Sequence, residues 1–199
     1  MTDDFFAVVN RQRACRAFSD EPVHDPEIAS LLEAATHAPS AENRQPWEFV
    51  IVRDAAARAT IGDLTRRAWV SHGRAFSETR LSPRLLADVD AGATGGIAEA
   101  PVHIVVCADV NRGLEATVAS SIFPAVQNLL LAATALGLGS ALTTITTSFR
   151  AELGALLALP AHVIPVAVVP VGRPAKPQGR PRRERFEDHA HREQYGSAW

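Results

Sequence analysis

Cysteine is nearly missing from this sequence. Cys15 and Cys107 are the only two in 199 residues. That is too few for a disulfide scaffold, and no paired-Cys spacing points to a metal site. Cys107 lies in an apolar run and reads as a small core residue rather than a nucleophile. Lysine is scarcer still: Lys176 is the only one, so nineteen of the twenty basic residues are arginine. A long unbroken apolar run is also lacking. The longest stretch, near residues 122–136, is interrupted by Pro124, Gln127, Asn128 and Thr134, which argues against a membrane span. The N-terminus, Met-Thr-Asp-Asp-Phe-Phe, has neither the basic region nor the apolar run of a signal peptide. The expectation is a cytoplasmic protein. A net charge of -2 gives no bulk attraction to nucleic acid or a membrane surface. His189 and His191 are two apart and do not share a helical face, so no metal is expected. No repeat, heptad run, catalytic triad or carboxylate pair is visible.

What is present is ordinary globular material, with 47% hydrophobic and 21% charged residues. The length suits one domain with a substantial core. Residues 4–14 predict a first helix, whose Phe5, Phe6, Val8 and Val9 could face a partner subunit or the chain's own core. Asp25-Pro26-Glu27 is a helix start, with Asp25 as cap. Ile28, Leu31, Leu32 and Ala35 then recur on one helical face. Residues 47–52 read as a strand, 55–67 as a helix, and the glycine-rich 92–96 as flexible. Residues 101–108 are apolar throughout and predict a central strand buried on both faces, with His103 an ordinary core or edge histidine. Residues 120–136 form the longest helix candidate, ended by Gly137 in the left-handed conformation. A strand is expected at 141–145, a short helix at 149–157, and an edge or interrupted strand at 163–172, because of Pro165 and Pro170. Alternating strands and helices predict a mixed sheet flanked by helices.

Two stretches carry chemistry. Arg11, Arg13 and Arg16 put three cations in six residues. They repel one another unless an anion or carboxylates sit among them. They are either a solvated basic face or a phosphate site, since guanidinium is a bidentate phosphate donor. The second stretch is Ala38-Pro39-Ser40-Ala41-Glu42-Asn43-Arg44-Gln45-Pro46-Trp47. Pro39 stops the preceding helix, and Ser40, Asn43 and Gln45 fall in a tight turn with hydroxyl and amide groups free to meet a ligand.

Ala-Pro-Ser-x-x-Asn-x-Gln-Pro-Trp resembles the signature loop of the nitroreductase family of FMN-dependent oxidoreductases. Arg11-Gln12-Arg13-Ala14-Cys15-Arg16 resembles its N-terminal arginine motif and is similar to the branch that includes deazaflavin-biosynthesis proteins. The Leu-Gly-Leu-Gly-Ser run ending at Ser140, and Gly172-Arg173-Pro174, also match. The resemblance implies an α+β nitroreductase-like fold over residues 1–199. A C-terminal arm, about 173–199, would be exchanged in a homodimer that holds FMN at its subunit interface. It implies FMN contacts at Arg11, Gln12, Arg13, Ala14 and Arg16, with Arg16 serving the flavin's N1 edge and Arg13 the ribityl-phosphate chain. Further contacts are implied at Pro39, Ser40, Ala41, Asn43 and Gln45. Backbone at Leu142, Thr143 and Thr144 would meet the ring, and Arg182 or Arg183, with Arg185 possible in their place, would meet the phosphate. Trp69, His72 and Phe76 are weaker substrate-pocket candidates, which could equally pack a surface helix. The implied activity is ping-pong hydride transfer from NAD(P)H to a small-molecule acceptor such as a nitroaromatic or quinone, with the flavin carrying the chemistry. Alternatives are a specialised substrate (a deazaflavin, a halogenated aromatic or flavin itself) or a flavin-binding module without turnover. Where the family often has Arg-Arg-Ser, this chain has Gln12-Arg13-Ala14, which loses a cation and a hydroxyl.

Overall fold

Strand burial sets the layers. In the computed structural model, residues 4–113 and 115–199 are described. Four strands, β1 (Trp47–Val52), β2 (Val102–Asp109), β3 (Gly139–Ser140) and β4 (Val163–Gly172), form one sheet in the order β1-β2-β4-β3. Every strand pair is antiparallel, and a single parallel bridge joins Ala14 to Ser140. Along β2 the side chains alternate between two cores. Ile104, Val106 and Ala108 pack with Leu31, Ala35, Ile122, Val126 and Leu129. Val105 and Cys107 pack with Ile61, Leu64 and Leu153. The sheet is therefore sandwiched between α2 (Asp25–Thr36) with α7 (Glu115–Ala135) on one face, and α3 (Ala55–Ala68) with α8 (Arg150–Leu156) on the other. Ile104 is fully buried, and cutting it to alanine should cost about 2–5 kcal/mol.

The first helix, α1 (Phe5–Arg11), is shorter than expected. It ends where Gln12 turns extended and Ala14 is drawn to Ser140. Phe5 and Phe6 stay exposed. α2 starts at Asp25, but its cap is His24, whose N–H donates to the Glu27 carboxylate at 2.9 Å. Asp25 instead pairs with Arg53. α7 is long and apolar enough to cross a membrane, with a mean hydropathy of 1.4. Its Ile122, Ala125, Val126, Leu129, Leu130 and Ala133 are spent on the core. Gly137 ends the helical stretch at φ 73, and the Leu138 N–H closes back on the Ala133 carbonyl.

The edge alternative for residues 163–172 and the strand at 141–145 are corrected together, while the expected interruption of the former is present at Pro165. β4 is not an edge; it pairs with both β2 and β3. Pro165 falls at a register shift opposite Cys107. Ser140 pairs with Val171 and Thr143 bridges Val168, so the missing N–H of Pro170 faces the gap between them. The expected strand at 141–145 accordingly leaves the ladder after Ser140. It touches β4 once more at Thr143 and then enters a 3-10 turn at Ile145–Phe149. Thr147 stabilises that turn by donating its hydroxyl to the Thr144 carbonyl at 2.6 Å.

The segment between α3 and β2 is helical almost throughout, with α4 (Arg74–Glu78), α5 (Pro83–Ala91) and the single turn α6 (Ile97–Glu99). Two π-helical turns interrupt it, Trp69–Gly73 and Gly92–Gly96. The glycine-rich 92–96 stretch is thus ordered helix, not a flexible loop. A Cβ on Gly92 would lie 2.5 Å from Arg16 Cδ, and one on Gly96 would collide with the Arg16 carbonyl oxygen. The glycines are there to let Arg16 pass beneath the helix.

Candidate functional site

The parallel bridge that shortens α1 also builds the site. Cys15 donates its N–H to the Ser140 carbonyl at 2.8 Å, which lays residues 13–16 beside β3. Arg13, Ala14 and Arg16 then line a cavity of about 560 Å³. Ser82, Arg84, Leu85 and Asp88 close it from α5, and residues 180–183 of the tail close it from the other side. The tail reaches this place along residues 17–19: Ala175 donates to the Ala17 carbonyl, Ser19 to the Arg173 carbonyl, and Arg13 to the Gly179 carbonyl at 3.0 Å. Among the described residues, six arginines line this space against one carboxylate, Asp88. Asp88 is taken by Arg16, with Nη1 and Oδ2 2.7 Å apart.

Arg16 also lines a second cavity, of about 260 Å³. Its other walls are Trp69, Ser77, Val89, Ala93 and Ile97 from the α3–β2 segment and residues 141–145. The Trp69 indole is buried, and its Nε1 donates to Asp90 at 2.8 Å. Asp90 also pairs with Arg74. The 3-10 turn after Thr144 is pinned to α3 by a buried Thr65–Thr146 hydroxyl contact of 2.7 Å. Ile97 is held by His103, whose Nε2 donates to its carbonyl at 2.7 Å. Burial pushes His103 down to about 4, with the Arg58 charge adding to the fall and the Ile97 hydrogen bond opposing it. His103 is thus a neutral structural donor. Burial likewise pushes the Cys107 thiol up to about 12, which makes it inert at neutral pH.

The loop at 39–45 is a different construction. Glu42, Asn43 and Gln45 all have positive φ, at 54°, 53° and 49°. Non-glycine residues adopt this region only when surroundings fix them. Ser40 Oγ accepts the Gln45 N–H at 3.0 Å, and Ser121 Oγ of α7 accepts the Ala41 N–H at 3.1 Å. The Gln45 amide donates to Asn43 Oδ1 at 3.2 Å. These bonds hold the loop, yet Pro39, Ser40, Ala41, Asn43 and Gln45 line neither cavity.

Of the residues singled out from sequence, Arg13, Ala14, Arg16, Arg182 and Arg183 come together around the larger cavity. Leu142, Thr143, Thr144 and Trp69 come together with Arg16 around the smaller. Arg11 and Gln12 line neither, and Arg185 pairs with Glu187 instead. His72 and Phe76 do not line the cavities either. His72 contacts Ser71 and Ser148, and Phe76 is exposed under Arg80. Sequence reasoning missed Ser82, Arg84, Asp88 and Arg180. The Ser82-Pro83 pair is a readable helix start, and it would have placed Arg84 and Asp88 on one face, at i and i+4.

A model of the nitroreductase family matches residues 9–173. The chain is 32% identical over 199 aligned residues to a 5,6-dimethylbenzimidazole synthase of Rhodospirillum rubrum, covering 92% of this chain and 88% of the relative. It is 31% identical over 182 residues to an NADH dehydrogenase of Thermus thermophilus, covering 83% and 84%. Among solved structures it resembles an oxidised iodotyrosine deiodinase bound to FMN and 3-iodo-L-tyrosine. The TM-score there is 0.75 at 26% identity, over 92% of this chain and 96% of that one. The motifs, the antiparallel sheet with its flanking helices and these likenesses agree: the chain is an oxidoreductase-type flavoprotein fold and belongs to the nitroreductase family.

Proposed function

We propose that this chain is an FMN-dependent oxidoreductase that draws electrons from NAD(P)H and passes them to a small acceptor such as a nitroaromatic or quinone. The observation that carries the reading is Arg16, which faces both an arginine-walled cavity of about 560 Å³ and a smaller one of about 260 Å³ walled by Trp69 and residues 141–145. A ligand with an anionic end and a flat aromatic end fits that pair. Arg13, with Arg182 and Arg183, would hold the phosphate by charge-assisted hydrogen bonds. Arg16 would put a cation at the ring edge where negative charge gathers, which favours the reduced form. Thr143 commits its N–H to Val168, so the ring's N–H donor is sought at neighbouring Leu142 or Thr144. Bound FMN would supply the redox chemistry, accepting reducing equivalents from the nicotinamide and releasing them to the acceptor in alternating half-reactions.

A homodimer completes this reading. The loop at 39–45 lines neither cavity of its own protomer, and Phe5 and Phe6 are exposed at 63% and 69%. The tail ends in Phe186, Tyr195 and Trp199, also exposed, which suits an arm that packs on a second copy. Cytoplasmic residence follows from the same chemistry, which needs the cellular NAD(P)H pool. Gln12 lines neither cavity, so it takes no charge from the walls, whereas Ala14 does line the larger one and leaves it without the hydroxyl that the family often has there. The likeness to a dimethylbenzimidazole synthase does support a second reading, a specialised substrate within the same fold.

The deciding experiment is the visible spectrum of the purified protein, followed by anaerobic NADPH and then NADH. A flavin spectrum that bleaches and returns on adding a quinone or nitroaromatic is the expected result. Bound flavin that bleaches but is reoxidised by none of these acceptors points to the specialised substrate. A colourless protein that takes up no added FMN overturns the proposal.

A further inference from the structure

The larger cavity has more positive charge than one phosphate can use. Arg13, Arg16, Arg84, Arg180, Arg182 and Arg183 face it, and Asp88 is the one acid among the lining residues. Five net positive charges remain. A phosphate monoester carries about -1.5 to -2 and three acceptor oxygens, and each arginine offers five N–H donors in a fixed fork. Two or three guanidiniums saturate such a group. The remainder repel one another across the mouth of the cavity, where Arg84, Arg180, Arg182 and Arg183 are exposed and the repulsion is strongest at low salt.

Arg84 is the most exceptional of the six. It comes from α5, whereas Arg13 and Arg16 come from the N-terminal motif and the others from the tail. It lies in the first turn of α5, where the helix macrodipole is positive and an acid is the favoured residue. That first turn contains no acid. Arg84, Arg180 and Arg182 make no side-chain ion pair within the described residues, while Asp88 is engaged by Arg16. Ser82, beside Arg84 on the cavity wall, caps α5 by accepting the Leu85 N–H and keeps its hydroxyl proton free to donate. An unpaired cation against a helix dipole, among like charges, is an arrangement that an anion stabilises.

We infer a second anion subsite at the Arg84–Ser82 end of this cavity, separate from the FMN phosphate, which takes a phosphate or carboxylate carried by one of the two small-molecule reactants. The inference rests on the FMN reading above. One source is the donor, through the 2′-phosphate that distinguishes NADPH from NADH. An anionic acceptor would use the same chemistry.

The test uses FMN-loaded protein and Arg84→Ala, with rates expressed per bound flavin. The kcat/KM ratio of NADPH to NADH, measured with a neutral quinone, should be at least tenfold in the wild type and fall tenfold or more in Arg84→Ala. 2′,5′-ADP should bind at least tenfold more tightly than ADP, and Arg84→Ala should remove that difference. If the donor ratio does not move but the ratio of a carboxylated to a neutral nitroaromatic falls, the subsite serves the acceptor. If both ratios and the 2′,5′-ADP preference are unchanged by Arg84→Ala while flavin binds normally, the subsite is disproved and the FMN reading stands. If no FMN is taken up, the FMN reading fails on its own, and 2′,5′-ADP binding to the flavin-free chain still decides the subsite. Arg84→Lys, which keeps charge but loses the fork, should restore part of the preference.

Discussion

The arginine-lined cavity and the loop at 39–45 carry the two most recognisable motifs of the chain, and they are built in opposite ways. The cavity gathers residues distant in sequence: the N-terminal motif, α5, and the tail. Its charges are largely unspent. The loop is local and self-satisfied. Its polar groups bond to each other and to Ser121, and three of its residues are held in left-handed backbone. One region gathers cations from three parts of the chain, while the other holds a shape that would be used, under the proposed dimer, by a second copy. The loop lines neither cavity of its own chain, so under the proposed dimer a working site would join the cavity of one copy to the loop of another.

The sharpest way to break that pairing is complementation. Arg16→Ala should lower the rate of flavin reduction by about 100-fold or more, through loss of roughly 3 kcal/mol of charge stabilisation. Asn43→Ala should weaken flavin binding. If the loop serves the partner, a mixed dimer of the two variants has one doubly defective site and one intact site. A one-to-one mixture, unfolded and refolded together, should then regain about a quarter of wild-type activity, as expected for two-fold dimers assembled at random. No regain would put both residues in the same protomer's site.

The wall of the smaller cavity, which Ile97 and Trp69 line, should also show a pH signature. His103 holds Ile97 in that wall, and burial keeps its folded value near 4 against an ordinary 6.5. Below pH 6.5 the unfolded chain binds a proton that the folded chain refuses. Stability should therefore be full above pH 6.5 and decline down to about pH 4, by about 3 kcal/mol. Urea unfolding from pH 7 to 4 should show this loss, and His103→Gln should flatten the slope while lowering stability at pH 7. Next in size is Gly96→Ala, where a methyl meets the Arg16 backbone. It should cost about 1–3 kcal/mol and lower Tm by about 2–4 °C for each of them.

The core was legible because its signals are local and repeated. β1 and the unbroken apolar β2 were readable from runs of residues, as was the apolar face of α2 at Ile28, Leu31 and Ala35. The edge of the sheet was not. Residues 141–145 have strand composition, but their pairing is decided by Pro170 on a strand that arrives later, so no window around them carries the information. The same holds for the site. Arg13 and Arg16 announce themselves as a cluster, whereas Arg84 is a lone surface arginine until folding sets it opposite the tail. Gly92 and Gly96 looked like slack because their partner, Arg16, is some eighty residues away.

The smallest expected effect tests the loop alone. Glu42 has φ 54 and an exposed side chain whose only ion pair within the described residues is with the equally exposed Arg44. Such a pair contributes little, whereas a non-glycine residue in the left-handed region carries a strain of about 1 kcal/mol. Glu42→Gly should relieve that strain, and the greater freedom of glycine in the unfolded chain should offset part of the gain. A net stabilisation of about 0.5 kcal/mol, or a Tm rise of about 1–2 °C, is expected. Strain is retained where geometry is selected over stability, so the same variant should lose flavin affinity if the loop is a preformed clamp for a partner's ligand. A more stable protein with unchanged flavin affinity would make the left-handed turn a simple connector between α2 and β1.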